Sequence, residues 1–146
     1  MSTQLTVNIT GVGEGMKTEV KAKQFDFIID EPPSFGGKDE GPDPLSVLLG
    51  SLISCKNVLI NLVAKEMGFQ LAGVAYEADG NLDLRGLMGD PSVRTYFETV
   101  SLKVVVDTEE PEERLAELQE KAEARCPVFQ TLSAAGVELN TEWLKK

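Results

Sequence analysis

The segment Pro44–Met67 limits the folds open to this sequence more than any other. Asp43 is a common N-cap residue, Pro44 favours the first helical position and Gly68 favours the position after the last turn, so the segment is predicted to form one long helix. Residues 44–55 carry no charge. A helix that is apolar on all sides must be enclosed by protein, because a surface helix would show a polar stripe. We therefore expect this to be the central helix of the core.

The same segment is not predicted to cross a membrane. Lys56, Asn57 and Asn61 interrupt it, whereas a membrane span needs about 20 residues that are nearly all apolar. Residues 1–8 lack both the basic segment and the apolar core of a secretory signal. We therefore expect a soluble, cytoplasmic protein, and in the reducing cytosol a permanent disulfide is not expected.

Composition excludes several classes of function. The 146 residues include 14 Lys and Arg, 24 Asp and Glu and no His, which gives a net charge of −10. Such an acidic domain is not expected to bind nucleic acid or an anionic membrane, since phosphate binding relies on a basic patch. Without His there is no Ser-His or Cys-His dyad and no His metal ligand, and two Cys cannot form a four-thiolate zinc site. What remains is chemistry by thiols, carboxylates or hydroxyls, or no chemistry.

Alternating apolar residues predict several strands. Residues 5–9 and 20–29 alternate on either side of a glycine turn at residues 11–15, which predicts a hairpin. Residues 30–44 contain four Pro and three Gly and are expected to form a loop. Further strands are predicted at residues 74–78, 100–106 and 137–143, with weaker strand character at Leu82 and Leu84.

Two more helices are predicted to begin near Pro111 and at Pro127. The order of elements argues for an α+β fold in one domain spanning residues 1–146, with a largely antiparallel sheet packed on the long helix and the helices on one side. One sheet of this size covers only one side of that helix. A second copy of the chain would cover the other, so we predict an obligate homodimer whose interface lies on the Pro44–Met67 helix.

The two cysteines are the candidates for chemistry. Cys55 ends the uncharged half of the long helix, and Lys56 is expected to mark where that helix first meets polar surroundings. Cys126 precedes Pro127 at the N-cap of a new helix, where the helix dipole, free N–H groups and the neighbouring Arg125 favour a thiolate, so we expect a thiol more acidic than usual. Free cysteines are also often buried and inert. The separation of 71 positions leaves open whether the two thiols meet.

Three segments resemble the OsmC/Ohr family of osmotically inducible and organic hydroperoxide resistance proteins. They are DEPPSFGGKDEGPDPLSVLLGSLISC at residues 30–55, GNLDLRGLMGDPSVR at residues 80–94, and AEARCPVFQTL at residues 122–132. The Gly-Pro-x-Pro lead-in, the Cys on the long helix and the Cys-Pro that opens a short helix match the family in order and spacing. The resemblance covers residues 30–143 and implies an OsmC-like, intertwined homodimer, with the two long helices at its centre and the sheets outside.

The resemblance also implies an activity. Members of the family reduce organic hydroperoxides with thiols in defence against oxidative stress. By resemblance, Cys55 would be the peroxidatic thiolate that becomes a sulfenic acid, and Cys126 the resolving thiol that condenses with it to a disulfide. A dithiol reductant would then reopen the disulfide. No metal or bound cofactor is required, and apolar surroundings would favour alkyl or fatty-acyl peroxides.

The sequence departs from the family at the partners of the thiolate. Peroxidase members carry an Arg in the glycine turn after the first strand and a Glu shortly after the Pro that leads into the long helix. Here the turn reads GVGEGMK, no Arg precedes residue 85, and Leu45 and Ser46 stand at the two Glu positions. The basic residues available to supply the missing charge are Lys17, Arg85, Arg94 and Arg125.

Two functions therefore remain open. The first is a thiol peroxidase that acts on small organic hydroperoxides, which the retained Cys pair and Cys-Pro motif favour. The second is an OsmC-like dimer without peroxidase activity that binds an apolar small molecule or senses redox state, which the missing Arg and Glu favour. Oxidation by one equivalent of cumene hydroperoxide, followed by a count of free thiols, separates them.

Overall fold

The computed structural model describes residues 3–146, which form two compact units, one ending at Leu48 and one comprising Leu49–Lys146. Strands and helices together give an α+β architecture, as predicted. The elements in chain order are β1 (Thr10–Glu14), β2 (Lys17–Ala22), β3 (Phe25–Ile29), α1 (Pro44–Met67), β4 (Gly73–Asn81), α2 (Leu84–Leu87), β5 (Thr99–Asp107), α3 (Glu112–Arg125), α4 (Pro127–Ala134) and β6 (Glu138–Lys145).

The first unit contains an antiparallel sheet in the order β1-β2-β3. The predicted strand at residues 5–9 is wrong, since this segment has no regular structure and its Leu5 side chain is 87% exposed. An alternating pattern specifies a strand only where one face has a surface to pack against. The strand instead includes Gly11 and Gly13, and the turn lies at residues 15–16, where Gly15 supplies a φ of 62°.

The second predicted strand, at residues 20–29, is two strands. A turn at residues 23–24 separates β2 from β3, and Lys23 adopts a φ of 56° there. A positive φ is uncommon for a residue other than glycine, so Lys23 gave no sign of a turn in the sequence. The apolar alternation on both sides of Lys23 therefore read as one continuous strand.

The loop between β3 and α1 is predicted correctly and is organised around a buried carboxylate. Asp30 accepts hydrogen bonds from the backbone N–H groups of Glu31, Lys38 and Glu40, at 2.8, 3.3 and 3.1 Å. The backbone passes so close to Gly37 that a Cβ there would lie 1.9 Å from the Glu31 carbonyl oxygen. This packing closes the Pro- and Gly-rich segment into an ordered lead-in to α1.

Helix α1 begins and ends where it was predicted. The Asp43 carboxylate accepts a hydrogen bond from the Ser46 backbone N–H at 3.0 Å, and Gly68 takes a φ of 65° just past the end. The expected enclosure is not met within one chain, because Val58 and Leu62 are 56% and 47% exposed. Helix α1 is long and apolar enough to span a membrane, as are many core helices of soluble proteins. One third of its most apolar 18-residue stretch is buried within the chain.

The second unit holds a mixed sheet in the order β4-β5-β6, so the expectation of one largely antiparallel sheet is corrected to two sheets. Strands β4 and β5 are antiparallel, whereas β5 and β6 are parallel and joined through α3 and α4. The strand character assigned to Leu82 and Leu84 is wrong, because Leu84 begins the short helix α2. The Asp83 side chain caps that helix by accepting the Arg85 backbone N–H at 3.0 Å.

The main core lies in this second unit. Alternate residues of β5 are buried against the later half of α1 and against α3, as the period-2 pattern predicted. Its buried members are Leu59, Ile60, Val63, Ala64, Phe69, Leu102, Val104, Val106, Leu115, Leu118, Ala122 and Cys126. Cys126 is therefore part of this core cluster, and Cys55 packs against it.

Candidate functional site

The two cysteines lie on different kinds of element. Cys55 is in the middle of α1 and is partly exposed. Cys126 is fully buried at the junction where α3 ends and α4 begins, with an extended backbone at φ −85° and ψ 109°. Pro127 explains this break, because the residue before a proline is excluded from the helical conformation, whereas the proline itself suits the first helical position. The chain thus turns at Cys126 and directs its thiol into the core.

The fold brings the two thiols into contact, although 71 positions separate them in the sequence. Cys126 and Cys55 share a side-chain hydrogen-bonding contact. Burial raises the pKa of the Cys126 thiol, and the contact with Cys55 raises it further. The nearby backbone N–H of Phe129 and the charge of Lys56 act in the opposite direction but do not outweigh these two effects.

The prediction of an unusually acidic Cys126 thiol is therefore wrong. The backbone N–H of Phe129, in the first turn of α4, favours the Cys126 thiolate, but this contribution is smaller than the cost of burying a thiolate. Arg125 does not help, because its guanidinium binds the Glu66 carboxylate through two hydrogen bonds of 2.7 and 3.1 Å. Cys126 is a buried, protonated thiol held against a more accessible one.

Lys56 is the residue near the thiols whose environment was not predicted from the sequence. It was expected at the edge of polar surroundings, but its side chain is fully buried. Its Nζ lies 3.8 Å from the centroid of the Phe129 ring and has no hydrogen-bond partner. Helical spacing could have indicated this burial. Lys56 lies four residues after Leu52 and four before Ile60, and these two fully buried residues share its face of the helix.

The electrostatics around Lys56 involve one carboxylate and the two thiols. Burial lowers the pKa of the Lys56 ammonium, and this effect is opposed first by Glu123 and then by Cys126 and Cys55. The Glu123 carboxylate already accepts hydrogen bonds from Trp143 Nε1 at 3.1 Å and from the Gln119 side-chain amide at 3.2 Å. A positive charge on Lys56 therefore sits beside two groups that can become thiolates.

The four basic residues named from the sequence as alternatives have other partners. Lys17 pairs with Glu40 at 3.7 Å, and Arg85 pairs with Asp83 at 2.6 Å. Arg94 donates to the backbone carbonyls of Phe97 and Gly136, and Arg125 pairs with Glu66. Within residues 3–146, no group of three or more His, Cys, Asp and Glu side chains is arranged to hold a metal ion. Lys56 is thus the cation that the second unit places next to its thiols.

Comparisons with known proteins identify the family and the fold of this chain. Residues 37–142 match the family model described as OsmC-like protein. Among solved structures, an OsmC-like protein from Mycoplasma pneumoniae is similar over 97% of each chain, with a TM-score of 0.84 and 19% identity. An organic hydroperoxide resistance protein OsmC from Legionella pneumophila is similar over 98% of this chain and 99% of its own, with a TM-score of 0.75 and 17% identity.

A third similar structure is the organic hydroperoxide resistance protein OhrB of Bacillus subtilis, with a TM-score of 0.62, 18% identity and coverage of 97% of this chain and 98% of its own. At these identities the structural similarity concerns the fold. No match was found among curated protein sequences.

Proposed function

This chain belongs to the OsmC-like protein family, whose model matches residues 37–142, and on that basis we propose that it is a thiol peroxidase that reduces organic hydroperoxides. In this proposal Cys55 is the peroxidatic residue and Cys126 the resolving residue. Family membership and the similarity to proteins described as organic hydroperoxide resistance proteins support a redox role. The roles of the two cysteines are those that the family resemblance implies, and the geometry of this chain supports them.

The contact between the two thiols is the observation that carries the proposal. Two cysteines that serve only to fill the core need not be in contact, whereas a peroxidatic and a resolving thiol must be in contact to form a disulfide. Their unequal exposure supports these roles, because a substrate reaches the partly exposed Cys55 more readily than the fully buried Cys126. The raised pKa of Cys126 keeps it protonated until its partner has been oxidised.

The reaction proceeds in three balanced steps. The Cys55 thiolate attacks the distal oxygen of the hydroperoxide, the O–O bond breaks, and the alkoxide leaves and takes up a proton to become an alcohol. Cys126 then attacks the sulfenic sulfur of Cys55, so that a disulfide forms and the hydroxyl leaves with the Cys126 proton as water. A dithiol reductant, oxidised in turn, restores both thiols by exchange.

Apolar side chains around the thiols favour an organic substrate over hydrogen peroxide. Ile53, Val128 and Phe129 pack against the same core cluster as the two cysteines. An alkyl or fatty-acyl group gains free energy by leaving water for such a surface, and hydrogen peroxide has no group that does. We propose small alkyl or fatty-acyl hydroperoxides as substrates.

The same proposal includes an intertwined, cytoplasmic homodimer of a single-domain chain. The exposed Val58 and Leu62 on α1 leave an apolar helix face uncovered within one chain, and a second copy would bury it by twofold symmetry. Proteins expose such faces rarely unless a partner covers them.

Stoichiometric oxidation tests the proposed reaction. The reduced protein receives one equivalent of cumene hydroperoxide, and its free thiols and disulfides are then mapped by mass spectrometry. We expect a Cys55–Cys126 disulfide within seconds, and a sulfenic acid on Cys55 in the Cys126→Ser variant. A sulfenic acid on Cys126 in the Cys55→Ser variant, with an unreactive Cys126→Ser variant, would exchange the two roles.

A second function is favoured by one observation, the absence of the family's Arg and Glu at residues 11–17 and 45–46. In this alternative the chain is an OsmC-like dimer that binds an apolar molecule or senses redox state without turnover. Two unchanged thiols after peroxide treatment support ligand binding. A disulfide that forms only over minutes to hours and is not turned over by excess dithiol supports redox sensing.

A further inference from the structure

We propose that Lys56 is the counter-cation of the thiol pair and takes the place of the guanidinium that peroxidase members of this family carry. This inference rests on the proposed function for its biological meaning, but the contacts of Lys56 stand independently of it. The proposal is based on the Lys56 amine, which is fully buried and has no hydrogen-bond partner. Lys56 directly follows Cys55 in the sequence, and its amine packs over the ring of Phe129, three residues after Cys126.

The burial of Lys56 has a cost that the surrounding residues do not remove. A buried amine or ammonium without a hydrogen bond loses its hydration and gains nothing equivalent in return. Lys56 Nζ is the one buried side-chain nitrogen or oxygen in residues 3–146 that lacks a partner. A thiolate at Cys126 or Cys55 attracts the Lys56 ammonium by its charge, whereas a neutral thiol carries no charge to offset the burial of the ammonium. The environment of Lys56 is therefore better suited to the thiolate state than to the resting thiols.

One carboxylate and one phenol also lie near Lys56. Glu123 on α3 is the largest favourable charge acting on Lys56, ahead of the two thiols, and its carboxylate also accepts hydrogen bonds from Trp143 and Gln119. Tyr76 on β4 packs against the same cluster, and its hydroxyl donates to Asn57 at 2.9 Å. Burial raises the pKa of Tyr76, so that it stays neutral. The strand β5 presents only apolar side chains to the cluster.

The proton balance of the pair follows from this arrangement. The Cys55 thiol gives its proton to water, and the resulting thiolate lies near the charge of the Lys56 ammonium, so that neither ion is buried alone. When the hydroperoxide O–O bond breaks, the leaving alkoxide takes up a proton from water, and the ammonium keeps its own. The sum with the resolving step is one hydroperoxide and two thiols converted into one alcohol, one water and one disulfide.

Two chemical features distinguish this device from the family's Arg. A guanidinium stays charged at any pH at which proteins are stable, whereas the amine of Lys56 can lose its proton. The Lys56 amine is also next in sequence to the peroxidatic cysteine on the same rigid helix, so its position does not depend on a loop. Leu45 and Ser46 at the Glu positions are compatible with this, since no guanidinium needs to be held.

Alkylation kinetics test the proposal without any peroxide. In the Cys126→Ser background, the rate of Cys55 modification by iodoacetamide is measured from pH 5 to pH 11, with and without Lys56→Met. Loss of a neighbouring positive charge is expected to move the midpoint of the profile upward by about 1 to 3 pH units. The matched control is Lys65→Met, which removes an exposed lysine from the same helix and is expected to leave the midpoint unchanged. A Lys56→Arg variant restores a cation and is expected to bring the midpoint back down.

The outcomes separate this proposal from the peroxidase proposal. A Lys56→Met profile that coincides with its parent overturns the counter-cation role, whatever the peroxide assay shows. A shifted profile in a protein that does not consume cumene hydroperoxide supports the counter-cation and rejects the peroxidase. Circular dichroism confirms that each variant is folded, and Lys56→Gln makes the same charge change if the Met variant does not fold.

Discussion

Replacing Lys56 by Met is expected to make the protein more stable and less reactive at the same time. Met has nearly the length of the lysine side chain and suits irregular core gaps, so the hydrophobic contacts of the aliphatic part are retained. What disappears is a fully buried amine without a hydrogen bond. Stability increases if that amine is a cost, and reactivity falls if it supports the thiolate.

The size of the effect follows from two opposing contributions. An unsatisfied buried polar group costs about 1–3 kcal/mol, and more when it is charged. The contact of Lys56 Nζ with the Phe129 ring at 3.8 Å returns up to about 2 kcal/mol in a desolvated setting. The cost of a buried ammonium is at the upper end of this range, about 3 kcal/mol. After the ring contact is subtracted, we expect the free energy of unfolding at pH 7 to rise by about 1 kcal/mol, which corresponds to an increase in Tm of about 2–4 °C for a chain of this size.

The sign of the pH dependence provides a second test. Burial lowers the pKa of Lys56 below its ordinary value of 10.5, so the unfolded chain holds this proton to a higher pH than the folded chain does. Between the two pKa values the unfolded state binds more protons, and the stability of the parent protein therefore rises with pH. The advantage of Lys56→Met is expected to be full at a pH below the folded pKa and to shrink as the pH approaches 10.5.

Urea unfolding of the reduced protein measures both effects, with parent, Lys56→Met and Lys65→Met compared at pH 7 and at pH 9.5. Lys65 is exposed, and its replacement is expected to change the free energy of unfolding by less than about 0.5 kcal/mol. A Lys56→Met protein that is less stable than its parent at pH 7 would refute the reasoning. It would show that Lys56 has a stabilising partner.

Three further results are expected from other parts of the chain. Burial would raise the pKa of Asp30, but its three backbone N–H donors together lower it. The Asp30 carboxylate therefore stabilises the fold at a pH above its unfolded pKa, and this stabilisation is lost as the pH falls through its folded pKa. The Asp30→Asn variant is expected to lose less Tm between pH 6 and pH 3 than the parent protein does. Gly37→Ala brings a Cβ to 1.9 Å from the Glu31 carbonyl oxygen and is expected to cost at least about 1–3 kcal/mol in chemical denaturation. Charged replacement of Val58 and Leu62 by Glu should give the 15.9 kDa monomer in light scattering, and a persisting dimer would contradict an interface on α1.

The helices were the most predictable part of the fold because their ends carry specific chemistry. Asp43 and Gly68 give α1 the capping residues that a helix needs at each end, and Pro127 begins α4 where it was expected. The strands of the first sheet were predicted less well. The glycine turn was expected at residues 11–15, but residues 11–14 belong to β1 and only Gly15 lies in the turn. Lys23 takes a positive φ at a second turn, which apolar alternation does not reveal.

The candidate site was predictable in its residues but not in its electrostatics. The sequence places Cys126 before a proline, and the structure confirms the helix start there, but burial and contact with Cys55 raise the pKa that the helix N-terminus was expected to lower. Electrostatic effects of this kind depend on which side chains surround a group and how much water reaches it. Those are properties of the three-dimensional packing, and local sequence does not determine them.

Lys56 shows how a break in a pattern can be read as a functional signal. The buried face of α1 consists of Leu, Ile, Val and Ala apart from this single lysine, and a Met or Leu in its place would suit that face better by stability alone. Natural sequences depart from such rules chiefly where function requires it. An amine that is costly to bury and lies near two touching thiols has its most direct explanation in thiol chemistry, because in the thiolate state a sulfur carries the charge opposite to that of the Lys56 ammonium. The cost in stability and the gain in reactivity should therefore disappear together when Lys56 is replaced.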